Sequence, residues 1–147
     1  MAFLELRSVS FTYPGAAAPA LRDVSFAVEK GALVGLCGAT GSGKSTLLRL
    51  LKRELSRQGQ RSGTILLQGV PLEDLPAEEA AFSIGYVMQR PDEQIVTDKV
   101  WHELCFGLEN MGLPQAAIAR RVAETAAYFG IEGWYDKPVS QLSGGQK

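Results

Sequence analysis

The amino-acid sequence predicts an α/β fold with three parts: an antiparallel β subdomain, a core of strand, loop and helix, and a helical subdomain. Strand-like patterns dominate the first 90 residues, whereas apolar residues at helical spacing dominate the remainder. A continuous apolar run, ALVGLC (32–37), leads into a glycine-rich loop and a leucine-rich segment, which is typical of a buried strand followed by a helix. We therefore divide the chain into residues 1–90 and residues 91–147.

The β subdomain is predicted from two segments in which apolar and polar residues alternate. Residues 3–13 and residues 21–28 follow this pattern, and a connection with two prolines and a glycine joins them. Two such strands on either side of a short turn are expected to pair in antiparallel fashion. A further strand and turn are predicted at 64–72, after a polar patch at 56–63.

The predicted core contains two buried strands and one helix. The run at 32–37 does not alternate and is bounded by glycines, and IGYVMQ (84–89) is a second compact apolar segment. Both are expected in a parallel sheet that is buried on both faces. Leucines at helical spacing predict a helix over 45–55, and a short helical turn is expected at 76–82.

Two longer helices are predicted in the second part of the chain. The first covers 96–112, with Thr97 or Asp98 as its N-cap and Gly112 as its stop signal. Its predicted apolar face comprises Val100, Trp101, Leu104, Cys105 and Leu108. Pro114 opens the second helix, whose apolar positions are Ile118, Val122, Ala126 and Phe129.

Composition and charge restrict the classes of partner. The 147 residues carry a net charge of −1, so no basic field attracts nucleic acid or anionic lipid, and no nucleic-acid partner is expected. No apolar run reaches the roughly 18 residues of a membrane span, and the N-terminus lacks a secretory-signal pattern. Cys37 and Cys105 lie in apolar segments and are predicted to be buried, reduced thiols. These features predict a cytoplasmic chain that reaches a membrane only through a partner.

The glycine-rich loop GATGSGKS (38–45) fills the phosphate-binding template G-x-x-x-x-G-K-[ST] between a predicted strand and a predicted helix. Glycines let the main chain turn and approach a phosphate closely, and N–H groups at the helix start bind its oxygens. Lys44 supplies a cation for the β- and γ-phosphates, and the Ser45 hydroxyl suits Mg²⁺. The predicted nucleotide contacts are Gly38, Ala39, Thr40, Gly41, Ser42, Gly43, Lys44, Ser45 and Thr46. Such a loop serves kinases, GTPases, helicases and transport motors alike.

Three further motifs accompany the phosphate-binding loop. Tyr13 ends the first predicted strand, Gln89 ends the segment IGYVMQ, and LSGGQ occupies 142–146. With these motifs the chain resembles, over essentially its whole length, the nucleotide-binding domain of the ATP-binding cassette (ABC) family. The resemblance implies a RecA-like P-loop core that carries an antiparallel β subdomain and a helical subdomain, and it implies ATP and Mg²⁺ as ligands.

The resemblance also implies a role for each motif. Tyr13 would stack on the adenine, Lys44 and Gln89 would act in catalysis, and Ser45 and Gln89 would ligate Mg²⁺. A second anion-binding nest, at a helix N-terminus, would serve the ATP held by a second copy, and its residues would be Ser143, Gly144, Gly145 and Gln146. A second ATPase subunit, identical or different, is therefore an expected partner.

Residues 91–110 (PDEQIVTDKVWHELCFGLEN) are similar to the corresponding region of cobalt-type and energy-coupling-factor importers. This resemblance implies a subunit at the cytoplasmic face of the cell membrane that powers import of a metal ion or a vitamin. An integral membrane subunit would dock near Gln89 and residues 91–110. Four residues would help to form this docking groove, and the alternative is that they belong to a solvated charged loop; they are Arg90, Asp92, Glu93 and Gln94. His102 lacks clustered partner ligands and is expected on the surface.

In this family a strand that ends in two carboxylates, and a histidine beyond it, follow the LSGGQ motif. No residue follows Lys147 in this sequence. We therefore expect the C-terminal part of the core to be missing and the 147-residue chain alone to be inactive as an ATPase. Two alternatives to an importer subunit stay open here: a soluble ABC ATPase outside transport, and a nucleotide-binding fragment without catalytic activity.

Overall fold

The structure is a computed structural model that describes residues 2–147. Within these residues the chain forms four β-strands and four α-helices, joined by loops and short 3₁₀ turns. It divides into two compact units, one that ends at Tyr86 and one that spans Val87–Lys147, and each is described by itself. The functional division into 1–90 and 91–147 stays a prediction. None of the helices in residues 2–147 is long and apolar enough to cross a bilayer.

An antiparallel sheet with the strand order β2-β1-β3-β4 forms the base of the first unit. Its strands are β1 (Leu4–Thr12), β2 (Leu21–Val28), β3 (Gln60–Leu67) and β4 (Val70–Pro71). The central strand β1 pairs in antiparallel fashion with both β2 and β3. The predicted pairing of the first two alternating segments is thereby confirmed.

Strand β3 begins at Gln60, within the segment that was predicted to be a polar patch. The prediction was wrong because β1 offers a free edge, and the main chain of residues 60–62 pairs with Ser10, Phe11 and Thr12 whatever its side chains are. The register shifts next to this stretch, where Gly63 adopts φ +81°. A Cβ at Gly63 would lie 2.3 Å from the Ser8 carbonyl oxygen, so glycine permits the bulge.

The core of the first unit lies between the sheet and helix α1 (Lys44–Leu51). The buried residues that fill it include Leu6, Val9, Phe11, Ile65, Leu67, Leu47 and Leu50. Helix α1 is shorter than predicted because Lys52 is extended, and a 3₁₀ turn covers Arg53–Leu55. The side chains of Lys52 and Arg53, just after α1, bind main-chain carbonyls. Lys52 Nζ donates to Ala81 O at 2.7 Å, and Arg53 Nη1 donates to Leu75 O at 2.9 Å. These bonds hold the segment around α2 (Ala77–Ser83), where a short helical turn was expected.

The two predicted core strands, 32–37 and 84–89, do not form in this structure. A parallel strand must exchange main-chain hydrogen bonds with a neighbouring strand. Among residues 2–147 no strand pairs with either segment. The apolar side chains of Leu33, Val34 and Val87 are consequently exposed. Cys37 is also exposed, so its predicted burial is wrong for the same reason, whereas Cys105 is buried as predicted.

Helices α3 (Val100–Asn110) and α4 (Gln115–Phe129) pack against each other in the second unit. The predicted apolar faces meet here: Cys105, Ile118 and Val122 form the buried centre, and Trp101, Leu104, Leu108, Leu113 and Tyr135 pack around it. Phe129 is an exception because α4 ends at this residue and Gly130 turns the chain with φ +66°. The Phe129 ring is 67% exposed and contacts the Tyr128 ring edge to face.

The N-cap of α3 is Lys99, so the prediction that Thr97 or Asp98 would be the N-cap was wrong. Carbonyl groups from a distant segment replace the cap, because Val100 N–H donates to Lys137 O at 3.1 Å and Trp101 N–H to Tyr135 O at 3.0 Å. Val139 N–H in turn donates to Asp98 O at 2.9 Å. Through these bonds residues 135–139, which lie between α4 and the LSGGQ motif, pack beside the start of α3.

Candidate functional site

The phosphate-binding loop precedes helix α1, whose N-cap is Gly43. No side chain caps this helix, and its first main-chain bond runs from Leu47 N–H to Gly43 O at 2.8 Å. The N–H groups of residues 44–46 therefore precede the hydrogen-bond ladder, as at any helix start. Together with the helix dipole they favour an anion at this position.

Two glycines of the loop occupy positions where a side chain would collide with neighbouring atoms. Gly43 adopts φ +92°, and a Cβ there would lie 2.5 Å from Ala20 O and 2.8 Å from Leu21 Cδ2. Gly38 adopts φ +152°, and its Cβ would lie 2.8 Å from Ser42 Oγ. Gly38 thus closes against Ser42 within the loop, and Gly43 packs against Ala20 and Leu21 outside it, so both positions need the freedom and small size of glycine.

The Lys44 ammonium lies inside this loop. Its Nζ donates to Gly38 O and Ala39 O, both at 2.7 Å, and approaches Ser42 Oγ at 3.3 Å. Main-chain carbonyls thus hold the cation beside the N–H groups that begin α1. The resulting concentration of positive charge and donors suits a phosphate group.

Tyr13 lies at the same site as the loop. Its hydroxyl shares a hydrogen bond of 2.9 Å with Thr46 Oγ1, and its ring meets the Phe11 ring edge to face at 4.8 Å. A cavity of about 210 Å³ is lined by Tyr13, Ala20 and residues 41–46, including Lys44 and Ser45. Among the described residues that line this cavity, Lys44 is the one cation and none is a carboxylate. The lining therefore suits a ligand that carries an anionic group for Lys44 and a flat ring for Tyr13.

Gln89 belongs to the second unit and opens a small closed loop. Met88 N–H donates to Gln94 Oε1 at 2.6 Å, and the 3₁₀ turn Pro91–Glu93 lies between them. An ion pair of 3.2 Å between Arg90 and Glu93 spans the same turn. The side chain of Gln89 itself is exposed to solvent.

The LSGGQ motif ends in a single turn over Ser143–Lys147, where we expected the N-terminus of a helix. Its main-chain bonds are those of a helix start: Gln146 N–H and Lys147 N–H both donate to Ser143 O, at 2.9 and 3.1 Å. Gln146 Oε1 accepts the Ser143 N–H at 2.9 Å, as the third helical residue does in a capping box. The Gln146 side chain is therefore engaged with the motif's own main chain.

An ion pair joins the Gln89 loop to the LSGGQ turn. Lys147 Nζ donates to Asp92 Oδ1 at 2.6 Å, across 55 positions of sequence. Sequence reasoning named Asp92 only as a candidate docking residue and did not single out Lys147, because no local pattern signals a contact at this separation. Sequence proximity to two motifs, Gln89 and LSGGQ, is the one signal that could have suggested it.

The structure thus groups the predicted site residues in two sets. Tyr13 and the phosphate-binding loop lie in the first unit, whereas Gln89 and the LSGGQ turn lie in the second. His102 lies on the exposed side of α3, with Nδ1 3.3 Å from Asp98 Oδ1, and this hydrogen bond lowers the pKa of Asp98. In the described part of the chain, no group of three His, Cys, Asp or Glu residues could hold a metal ion.

Comparison with known proteins decides the family. The sequence profile of the family described as ABC transporter matches residues 21–147. The chain belongs to the ABC transporter family. This ABC chain is 42% identical over 147 residues to a Bacillus cereus protein with the provisional name ABC transporter ATP-binding protein, covering all of this chain and 27% of that protein. It is 40% identical over 139 residues to the energy-coupling factor transporter ATP-binding protein EcfA1 of Lactobacillus delbrueckii subsp. bulgaricus, covering 95% of this chain and 49% of that protein.

A solved structure confirms the fold class. The cbiO1 protein of Clostridium perfringens, described as part of the ABC transporter complex cbiONQ, matches 99% of this ABC chain with a TM-score of 0.84 and 31% identity. The α/β fold with its antiparallel sheet is therefore an ABC ATPase fold. The ABC chain spans 57% of cbiO1 and from about a quarter to a half of the relatives named above.

Proposed function

We propose that this chain supplies the P-loop and the LSGGQ motif of an ATPase subunit that powers import of a small solute, a metal ion or a vitamin, through a membrane partner. The observation that carries the proposal is the cavity that Tyr13, hydrogen-bonded to Thr46, lines together with Lys44. An aromatic ring and a helix start with a cation are the two features that a purine nucleotide requires.

We propose one orientation for ATP at this cavity. The triphosphate would take the loop carbonyls' place at Lys44 Nζ and accept the N–H groups at the start of α1. The adenine would lie against the Tyr13 ring. The Ser45 hydroxyl would offer an oxygen ligand for Mg²⁺, which when bound neutralises charge on the phosphates, and we propose the Gln89 carboxamide as a further ligand.

Hydrolysis would then depend on placing water and stabilising charge. Lys44 would hold the transferred phosphoryl group, and Gln89 would orient the attacking water. The exposed LSGGQ turn would complete the site of a second subunit through the main-chain N–H groups of Gly144 and Gly145, while the bond from Ser143 N–H to Gln146 Oε1 closes the turn. Two subunits would thus share two ATP molecules.

The relatives support the importer rather than another ABC protein. Sequence similarity extends to an energy-coupling factor protein, and the solved neighbour is described as part of a transporter complex. The membrane subunit would dock near Gln89 and residues 91–110, where the exposed charges of Arg90, Asp92 and Glu93 lie. We therefore propose that the protein works at the cytoplasmic face of the membrane.

The decisive experiment compares ATP hydrolysis by the whole protein, purified with its membrane subunit, in wild-type and Lys44→Ala forms. We expect Lys44→Ala to lower kcat at least about a hundredfold, because the loop loses its only lining cation. Lys30→Ala, an exposed lysine of the same unit, serves as the matched control and should leave kcat unchanged. Undiminished turnover by Lys44→Ala would refute the proposal.

A second comparison concerns the 147-residue chain itself. No carboxylate lines its P-loop cavity, so a group to polarise water is absent there. We propose that this chain alone binds nucleotide weakly and does not turn it over. Lys44-dependent ATPase activity of the isolated chain would contradict this part of the proposal.

A further inference from the structure

We propose that the ion pair between Asp92 and Lys147 is a strut that fixes the Gln89 loop relative to the LSGGQ turn, and that both residues are positioning residues for ATP hydrolysis. The inference deepens the proposed function and rests on it, because the two loops act on ATP only if the protein is an ATPase. The strut itself is a property of the second unit and can be tested without turnover.

The geometry of the pair distinguishes it from the solvated pairs of the same unit. Lys147 Nζ lies 2.6 Å from Asp92 Oδ1, which is the distance of a charge-assisted hydrogen bond. The Lys147 side chain is only 20% exposed, although Asp92 is 66% exposed, and Lys147 borders a recess that Ile95 and Val139 also line. In contrast, Arg120 and Glu124 on α4 lie 3.9 Å apart and are 73% and 65% exposed. Pairs in which both side chains are mostly exposed contribute little.

The Asp92 end of the strut is connected to Gln89 through a short, closed stretch of chain. Asp92 lies in the 3₁₀ turn Pro91–Glu93, and Gln94 N–H donates to Pro91 O at 2.9 Å. Gln94 Oε1 accepts the Met88 N–H at 2.6 Å, directly before Gln89 in sequence. A displacement of Asp92 is therefore passed to the main chain that carries Gln89.

The Lys147 end is connected to the LSGGQ turn in the same way. Lys147 N–H donates to Ser143 O at 3.1 Å, and the Gln146 side chain accepts the Ser143 N–H at 2.9 Å. These two bonds make Ser143–Lys147 one compact turn. Lys147 thus closes, through its main chain, the turn whose N–H groups would bind the phosphate of a second subunit, and binds Asp92 through its side chain.

This arrangement predicts a catalytic signature that a purely structural pair would not produce. Tyr13 and Lys44, which would set the affinity for ATP, belong to the first unit, whereas the strut belongs to the second. Loss of the strut should therefore affect the placing of Gln89 and of the LSGGQ turn, which lowers kcat, and should change KM for ATP little.

The test uses the whole protein with its membrane subunit and compares Asp92→Asn, Lys147→Met, the double variant and the charge-exchanged pair Asp92→Lys with Lys147→Asp. We expect each single variant to lower kcat about three- to tenfold with KM changed less than about twofold, and the double variant to be no worse than either single one. The charge-exchanged pair should recover at least about half of the wild-type kcat. Additive losses in the double variant, or a loss confined to Asp92→Asn as a docking defect would give, would overturn the strut.

Hydrogen exchange provides a readout that is independent of turnover. In Lys147→Met, peptides that cover residues 88–94 should exchange faster, although they lie far from position 147 in sequence, whereas peptides of α4 should be unchanged. Arg120→Met is the matched control and should alter neither kcat nor exchange at 88–94. Unchanged exchange at 88–94 in Lys147→Met refutes the strut. A wild-type complex that hydrolyses no ATP refutes the proposed function and leaves the exchange result to decide the strut.

Discussion

Contacts of the Tyr13 side chain fix one wall of the cavity in the first unit. The Tyr13 ring is held on two sides, by the Phe11 ring and by the hydrogen bond of its hydroxyl to Thr46. The ring would therefore be in place before a nucleotide binds, and no ordering of this side chain would be required on binding. The hydroxyl and the ring contribute separately to this site, so substitution can distinguish their contributions.

We expect Tyr13→Phe to raise the Kd for ATP only about two- to fivefold, because it removes one hydrogen bond of about 1 kcal/mol and keeps the ring. Tyr13→Ala should raise Kd at least about tenfold, since stacking of a base on an aromatic ring contributes roughly 1–3 kcal/mol. Fluorescence titration of the whole protein with a labelled ATP analogue measures both. Tyr128→Ala, an exposed aromatic residue of α4, is the control. Equal losses in the two Tyr13 variants would show that the ring does not contact the base.

At the scale of elements, the loop before α1 is coupled to the sheet by close contact. Gly43 lies against Ala20 and Leu21, where β2 begins, and this contact positions the start of α1 over the sheet. Polar bonds from Lys52 and Arg53 hold the other end of α1 to the segment around α2. Both ends of the helix are thus defined by main-chain atoms of distant segments.

Gly43→Ala should destabilise the first unit more than Gly41→Ala, although both glycines have positive φ. Each variant suffers the strain of alanine at positive φ, about 1 kcal/mol. Gly43→Ala should lose about 2 kcal/mol more, because its methyl group would collide with Ala20 O, whereas Gly41 faces open space. Urea unfolding followed by circular dichroism gives the two free energies of unfolding. Equal free energies of unfolding would show that Ala20 and Leu21 move aside for the methyl group without destabilising the unit.

At the scale of the whole molecule, the distribution of apolar side chains is uneven. Each unit has a buried cluster, yet Leu33, Val34 and Val87 are exposed in the segments that were predicted to be core strands. Exposed contiguous apolar chain is a surface that another strand or protein usually covers. We propose that neighbouring strands cover these segments in the whole protein, whose relatives are about twice as long or longer.

The reactivity of the two cysteines tests whether residues 32–37 are exposed or covered. In the 147-residue chain at pH 8, Cys37 should react rapidly with iodoacetamide because it is exposed, and Cys105 should react only on unfolding because it is buried. Burial also raises the pKa of the Cys105 thiol, so less of it is thiolate at this pH. When the pH rises above the ordinary pKa of a thiol, Cys105 loses its proton in the unfolded chain before it does so in the folded chain. The free energy of unfolding should therefore fall as the pH rises through this range.

In the whole protein we expect Cys37 to be protected as well, because paired strands would cover residues 32–37. Mass spectrometry of the labelled peptides distinguishes the two thiols, and Cys37→Ser provides the control for the fast reaction. Rapid labelling of Cys37 in the whole protein would show that this segment stays open.

Local patterns were sufficient for much of the molecule. Alternation predicted β1 and β2, helical spacing predicted the contact of α3 with α4, and glycine spacing predicted a loop directly before α1, whose binding of phosphate stays a prediction. Each of these features depends on residues that are close in sequence, because periodicity and turn geometry are properties of short segments. The family resemblance, which relied on the order of short motifs, is confirmed for the same reason.

Tertiary structure decided whatever depends on a distant neighbour. The polar start of β3 forms because β1 has a free edge, Lys99 caps α3 because carbonyls near Tyr135 and Lys137 satisfy its first N–H groups, and residues 32–37 stay open because no described strand pairs with them. The pairing of Tyr13 with Thr46 and of Asp92 with Lys147 has the same origin. A segment's own residues determine its periodicity, but hydrogen-bond partners and burial are determined by which chain lies beside it.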